Sequence, residues 1–212
     1  YTGEIRRRLQ ERFGDGGPGF TLAAPDFGGY LRKGVRLKRH HWEVASVLKG
    51  GRNDGRYGYG GVAATSYGGA SSTFTTPTPR IDQVLVYHRA TRRTGALQLF
   101  LDGSHVPTVT LDKTRDEVGD RVWRVPLETP ASAVKLRAGG GGQSMVYGVA
   151  LERSEPGVVL DALGLVGLRA RRWRKADERH LAAAVASRDV QLLVLAFGGN
   201  ERVDEYLSVA RH

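Results

Sequence analysis

Apolar residues recur at helical spacing at the start of the chain: Ile5, Leu9 and Phe13, with charges between them. They predict a helix over Gly3–Phe13, with Thr2 as a candidate N-cap and Gly14 as its stop. The run Gly14-Asp15-Gly16-Gly17-Pro18-Gly19 breaks both helix and strand and reads as a loop. From about Val35 the period shortens to two. Ile81–Arg89, Ala96–Leu101, Val106–Leu111, Arg121–Leu127, Ala133–Arg137 and Gln143–Leu151 are strand-length runs, with Asp102-Gly103 and Gly139–Gly142 as turns between them. Short strands at near-regular spacing predict a β-sandwich or jelly roll. Gly50–Gly69 mixes glycines with Tyr57, Tyr59 and Tyr67, a composition that suits long surface loops with exposed rings.

After Glu155-Pro156 the pattern changes again. Val158–Leu163 reads as a short buried strand, and Leu165–Lys175 and Asp177–Ser187 as helices, the second capped by Asp177. Val190–Phe197 is almost wholly apolar, the texture of a parallel strand buried on both faces. Gly198-Gly199-Asn200 follows, then a helix over Arg202–Arg211. Strand, helix, strand, loop and helix in that order make an α/β unit. The expected fold class is therefore α/β: a partial three-layer parallel sheet interrupted by an inserted β-sandwich. Its first helix and loop occupy residues 1–20, the insert 21–152 and the α/β continuation 153–212, with Val190–Phe197 central and parallel to Val158–Leu163.

Composition narrows the function. The 212 residues include no cysteine, so disulfides and thiolate metal sites are excluded. No apolar run approaches the ~20 residues that a membrane-spanning helix needs. Lys and Arg number 32 against 22 Asp and Glu, a net charge of +10. The basic clusters are Arg6–Arg8, Arg32–His41 and Arg169–Lys175. The first and third fall in predicted amphipathic helices beside acidic residues, and no zinc-finger or RNP-type motif accompanies them. Specific nucleic-acid recognition is disfavoured. Attraction to anionic polymers, acidic cell-envelope glycans included, needs only a field and stays open.

Two glycine-containing turns stand at the carboxyl ends of the two predicted parallel strands: Leu163-Gly164-Leu165-Val166-Gly167 and Phe197-Gly198-Gly199-Asn200-Glu201. Side by side, they would let the Gly167 N–H and the Asn200 side-chain amide point at one oxygen, the arrangement of an oxyanion hole. Each turn alone also serves as an ordinary tight turn, with Asn200 capping the next helix. Other candidates carry less. Asp102-Gly103-Ser104-His105 sets a serine beside a histidine but reads as a hairpin turn. His40 and His41 would point to opposite faces of a strand and chelate poorly. His88 and His180 have no ligand spacing around them, and His180 is expected on a solvated helix face. Asn53-Asp54-Gly55 lacks the alternating oxygens of a calcium loop. No metal or cofactor is implied.

The segments GVVLDALGLVGLRARRW and VQLLVLAFGGNE resemble the second and third conserved blocks of the SGNH/GDSL hydrolase superfamily. YTGEIRRRLQERFGDGGPGF resembles the helix and loop that follow that family's nucleophile block. VLVYHRATRRTGALQLFLDG resembles the carbohydrate-binding-like jelly roll inside cell-wall-acting members, notably bacterial peptidoglycan O-acetylesterases. The resemblance implies a serine esterase that deacetylates a cell-wall or other polysaccharide, with Gly167 and Asn200 as oxyanion donors and no cofactor. It also implies an extracytoplasmic location and an acylated polysaccharide or peptidoglycan as partner. The family's Gly-Asp-Ser block would precede Tyr1, and its Asp and His block would follow His212. The chain is thus expected to be an internal fragment holding half of an active site, inactive alone. Ala162-Leu163 stand where many relatives carry a nearby Asn. The alternative is a non-catalytic glycan-binding module that stacks Trp42, Tyr57, Tyr59 and Tyr67 on sugar faces.

Overall fold

The computed structural model describes residues 1–25, 33–105, 107, 109–111 and 118–201. The chain opens with helix α1 (Thr2–Phe13), which starts one residue before the expected Gly3 and ends at Gly14; Tyr1, not Thr2, is its N-cap. Eleven strands follow: β1 (Gly19–Leu22), β2 (Arg36–His40), β3 (Glu43–Ser46), β4 (Val62–Ser66), β5 (Ser71–Thr75), β6 (Ile81–Ala90), β7 (Ala96–Leu101), β8 (Val109–Leu111), β9 (Gly119–Ala131), β10 (Ala133–Gly140) and β11 (Ser144–Glu152). A 3₁₀ helix (Ala170–Lys175) and helix α2 (Glu178–Ala186) complete the described elements. The expected helix Arg202–Arg211, and Val106 and Thr108 of the expected strand Val106–Leu111, lie outside the described residues.

The strands form two antiparallel sheets. One runs β3-β4-β11-β6-β9, with β1 pairing β11 beyond the end of β4; the other runs β2-β5-β10-β7-β8. Period-two alternation explains the layering. In β6, Ile81, Val84 and Val86 face the core between the sheets, with Leu97 and Leu99 of β7 and Val134 and Leu136 of β10. Leu85 and Tyr87 face the other way, into a second apolar layer with Phe20, Tyr57, Tyr59, Met145, Tyr147, Leu165 and Leu168. Both faces of the larger sheet are therefore covered, and all nine residues of its central strand β11 are buried. A register shift between Val146 and Gly148 restores the alternation there. Gly148 is required by close approach: a Cβ would sit 2.1 Å from Phe20 Cζ and 2.7 Å from the Thr21 carbonyl oxygen.

The expected α/β class is not what the chain forms. Its sheets are antiparallel and make a β-sandwich, and among the described residues parallel pairing is confined to one bridge, Asp15–Val158. Val190–Phe197 joins neither sheet; Leu192 is 80% exposed and Val194 74%. An apolar run becomes a buried strand only where backbone partners flank it. The paired strands here all come from residues 19–152, and they satisfy one another. Of the expected helix Leu165–Lys175 only Ala170–Lys175 is helical, because a tight turn closes Leu165–Leu168 with the Leu168 N–H on the Leu165 carbonyl, 2.9 Å. Helix α2 forms as its N-cap requires, with the Asp177 carboxylate accepting the His180 backbone N–H at 2.7 Å.

Candidate functional site

The two expected turns meet. The Asn200 amide donates through Nδ2 to the Leu168 carbonyl at 3.0 Å, one residue after Gly167. Glu201 bridges the same pair of segments: its carboxylate accepts the Ala170 N–H at 2.6 Å and the Gly198 N–H at 2.9 Å. These two hydrogen bonds hold its carboxyl below the usual glutamate range. Gly167 adopts φ +77, the left-handed region that favours glycine, and nothing lies within 4 Å of where its Cβ would be. Leu165 and Leu168, buried against the outer face of the larger sheet, anchor this turn on both sides of Gly167. An Nδ2 carries two protons, and one of them meets the Leu168 carbonyl.

Farther back, the segments that lead to the two turns are tied together. Arg188 Nε donates to Asp161 Oδ2 at 2.7 Å, and its Nη2 pairs with Glu152 at the end of β11. Asp161 also accepts the Phe20 N–H at 2.7 Å, which fastens the tie to β1. Burial works against the charge on Arg188, but Asp161 outweighs it and raises the guanidinium above its ordinary value. A cleft of about 420 Å³ opens between the first turn of α1 and this region, lined by Thr2, Arg6, Phe20, Lys33, Leu163 and Gly164 among others.

The remaining candidates resolve differently. His180 is not on a solvated face but buried: Nε2 accepts the Gly58 N–H at 2.8 Å, which leaves Nδ1 to donate to Asp120 at 2.9 Å. Asp120 also receives the Tyr147 hydroxyl at 2.6 Å and pairs with Arg56. Burial raises the Asp120 carboxyl, and these partners outweigh it and hold it well below the usual range. These contacts join α2 to the sandwich. Tyr57, Tyr59 and Trp42 are packed inside rather than offered to sugars, and Tyr67 alone of the four is exposed, at 71%. Ser104 and His105 are exposed beside a turn in which Asp102 and Gly103 both have positive φ. No group of three or more metal-ligating side chains occurs among the described residues. Among them, no helix is long and apolar enough to cross a membrane. Glu201 was not singled out in the sequence, although its position directly after Asn200 in a glycine turn is a signal for such a bridge.

No family model matches the chain, and no curated protein matches it. Among solved structures, a peptidoglycan O-acetylesterase superposes on 99% of this chain with TM-score 0.78 and 21% identity. This chain spans 55% of that neighbour's length. A family 32 carbohydrate-binding module of C. perfringens in complex with galactose covers 57% of this chain and 95% of its own, with TM-score 0.38 and 12% identity. A Clostridium stercorarium carbohydrate-binding module in complex with cellobiose covers 63% and 92%, with TM-score 0.37 and 16% identity. At these identities the first likeness is one of fold.

Proposed function

We propose that this chain is part of a serine esterase of SGNH type that removes a small acyl group, acetyl foremost, from a cell-wall polysaccharide. Gly167 and Asn200 are its oxyanion donors. The observation that carries this reading is the Asn200–Leu168 hydrogen bond, which fixes the amide beside Gly167 and leaves a second Nδ2 proton for a substrate oxygen. The fold shared with a peptidoglycan O-acetylesterase supports it. The nucleophilic serine and the histidine base belong to residues outside this chain. The serine oxygen attacks the acyl carbonyl as the histidine takes its proton; the negative charge that develops on the carbonyl oxygen is met by the Gly167 N–H and the Asn200 amide. Collapse of the tetrahedral intermediate expels the sugar hydroxyl, which the histidine protonates, and water releases the acid in a second round. In this reading residues 21–152 are the inserted sandwich, residues 1–20 and 153–212 belong to the catalytic part, and the protein works outside the cytoplasm, where its polymer is.

The test is an acetyl-ester assay on a chain extended at both ends by its neighbouring sequence. Asn200→Ala is expected to lower kcat by about 10²–10³-fold with KM little changed, since the donor acts mainly in the transition state. The bare 212-residue chain is expected to be inactive. Turnover by the bare chain equal to that of the extended one would place the chemistry elsewhere and bring Ser104-His105 back into contention.

A further inference from the structure

We propose that the outer face of the five-stranded sheet is a docking surface for a carboxylated polysaccharide. The alternation of each strand defines that face. Leu37, Phe74, Val134, Leu136, Leu97 and Leu99 point into the sandwich, so Arg36, Lys38 and His40 of β2, Lys135 and Arg137 of β10, and Gln98 and Phe100 of β7 point out. Register aligns them in rows: Lys38, Thr73, Lys135 and Phe100 lie across from one another, and His40, Ser71, Arg137 and Gln98 form the next row. Strands β2 and β10 are separated by β5 alone, which puts the two lines of cations ~9.5 Å apart, with ~6.7 Å between neighbours along a strand. Neither of these two rows holds an acidic residue; Asp102, at the end of the neighbouring row, is engaged by the Ser132 and Ala133 N–H groups. Like charges at that spacing repel, and no carboxylate within the two rows offsets them among the described residues.

The face selects among polyanions. Arg137 is held in place, with Nε and Nη2 both donating to Gln98 Oε1 at 3.0 and 2.8 Å and its guanidinium 4.8 Å from the Phe100 ring centroid. Lys135 Nζ stands 5.6 Å from the same centroid. Phe100 is only 4% exposed beneath them. A single-stranded nucleic acid binds by stacking bases on open aromatic rings, and this face offers cations above a covered ring instead. A neutral glycan likewise needs an open ring or a groove. A linear polymer with carboxylates along one edge needs what is present: cations in rows across a sheet face, Arg137 held among them, flanked by the Thr73 hydroxyl and the Gln98 amide. The inference uses neither Gly167 nor Asn200 and stands apart from the esterase reading.

The test measures binding of the 212-residue chain to polygalacturonate, to its methyl ester, and to a single-stranded and a duplex oligonucleotide, at low and high salt. Polygalacturonate is expected to bind, with affinity falling steeply as salt rises, and the uncharged ester is not. Lys38→Gln with Lys135→Gln is expected to weaken polygalacturonate binding at least tenfold, and adding Arg137→Gln to weaken it further. Arg174→Gln with Lys175→Gln, exposed cations on the 3₁₀ helix, is expected to leave it unchanged. The Lys38/Lys135 pair, which leaves Arg137 over Phe100 in place, carries the test if the triple variant does not fold. Equal binding by the Lys38/Lys135 variant and wild type would overturn the assignment. So would equal binding of the ester, or tighter binding of either oligonucleotide than of polygalacturonate at the same salt.

Discussion

Replacing His180 by alanine should release helix α2 from the sandwich. The imidazole makes two buried bonds that alanine cannot make. Without Nε2, the Gly58 N–H is left without an acceptor in the protein interior, a penalty of about 1–3 kcal/mol. Without Nδ1, Asp120 loses a charge-assisted donor, a bond of about 1.5–3 kcal/mol in net terms. The Asp120 side chain keeps 27% exposure, so water replaces part of that loss and the lower end applies. Tyr147, whose ring centroid is 5.2 Å from the imidazole, loses packing as well. The sum for His180→Ala is about 3 kcal/mol, or ~10²-fold in an opening equilibrium. His180→Asn keeps a donor near the Nδ1 position and loses only the Gly58 acceptor, so about half that cost is expected. Native-state hydrogen exchange separates the two variants, because α2 opens as a local unit over a sandwich that stays closed. Protection of the Leu181–Val185 amides should fall ~10²-fold in the alanine variant and ~10-fold in the asparagine variant, while β6 and β10 keep theirs. A change below threefold in His180→Ala would refute the reasoning, since the two bonds would then contribute nothing to holding the helix.

Other substitutions probe the remaining parts of the fold. Gly148→Ala drives a methyl into the Phe20 ring and the Thr21 carbonyl and should cost about 3 kcal/mol by urea denaturation; adding Phe20→Ala should recover part of it, and fully additive losses would argue against the clash. Burial pushes the His88 imidazole down to about 4, so the folded state stays neutral while the unfolded chain takes up a proton below about 6.5. Stability should therefore be complete above pH 6.5 and fall by up to about 3 kcal/mol as pH drops to 4. His88→Leu should flatten that slope, and an unchanged slope would assign it to other groups. Asp177→Ala removes the cap on the His180 N–H and should cost about 1 kcal/mol of α2 stability, read by the same exchange experiment.

The strands read between residues 81 and 151 were legible because their apolar and polar positions alternate against the same interior; β1 to β5 were not read one by one, and β4 falls within the Gly50–Gly69 stretch expected to be surface loop. Ala96–Leu101 matches the observed strand end to end, and Ile81–Arg89 falls one residue short. The second apolar layer was not legible. Tyr57 and Tyr59 stand among glycines, a surface composition, yet Leu85, Tyr87 and Tyr147 give the larger sheet an apolar outer face that must be covered. The rings of Phe20, Tyr59 and Tyr87 close over it, with centroids 4.3 to 5.5 Å apart. Local spacing cannot announce such long-range cover. His180 fails for the same reason, since its partners Gly58 and Asp120 are 122 and 60 residues away. Val190–Phe197 misled in the opposite direction: its composition describes a strand buried on both faces, and composition does not say which strands flank it. For the candidate site, the turn residues Gly167 and Asn200 were read from the sequence; the contact of Asn200 with Leu168 and the Glu201 bridge needed the structure.

The two halves of the candidate site are held by different forces. Gly167 lies between Leu165 and Leu168, both buried against a sheet that is itself packed on its other face. Moving that turn would expose two leucines, each ~1.5–3 kcal/mol of burial. Asn200 has no such anchor. It is reached from Arg188 through Val190–Phe197, and Leu192, Leu193, Val194 and Leu195 in that span are all more than 60% exposed. What fixes Asn200 is its bond to Leu168 and the Glu201 bridge to Ala170, hydrogen bonds for which water competes. The four exposed side chains represent ~6–12 kcal/mol of burial that the described residues leave unrealised. An oxyanion donor is useful only if it is held within about 0.5 Å of its working position. In the proposed reading, the Gly167 N–H meets that demand through packing within this chain, and the Asn200 amide meets it only once the span behind it is covered. Covering that span should therefore raise the order parameter of the Asn200 side-chain amide in solution and leave that of the Gly167 backbone amide where it was; an unchanged Asn200 order parameter would refute this.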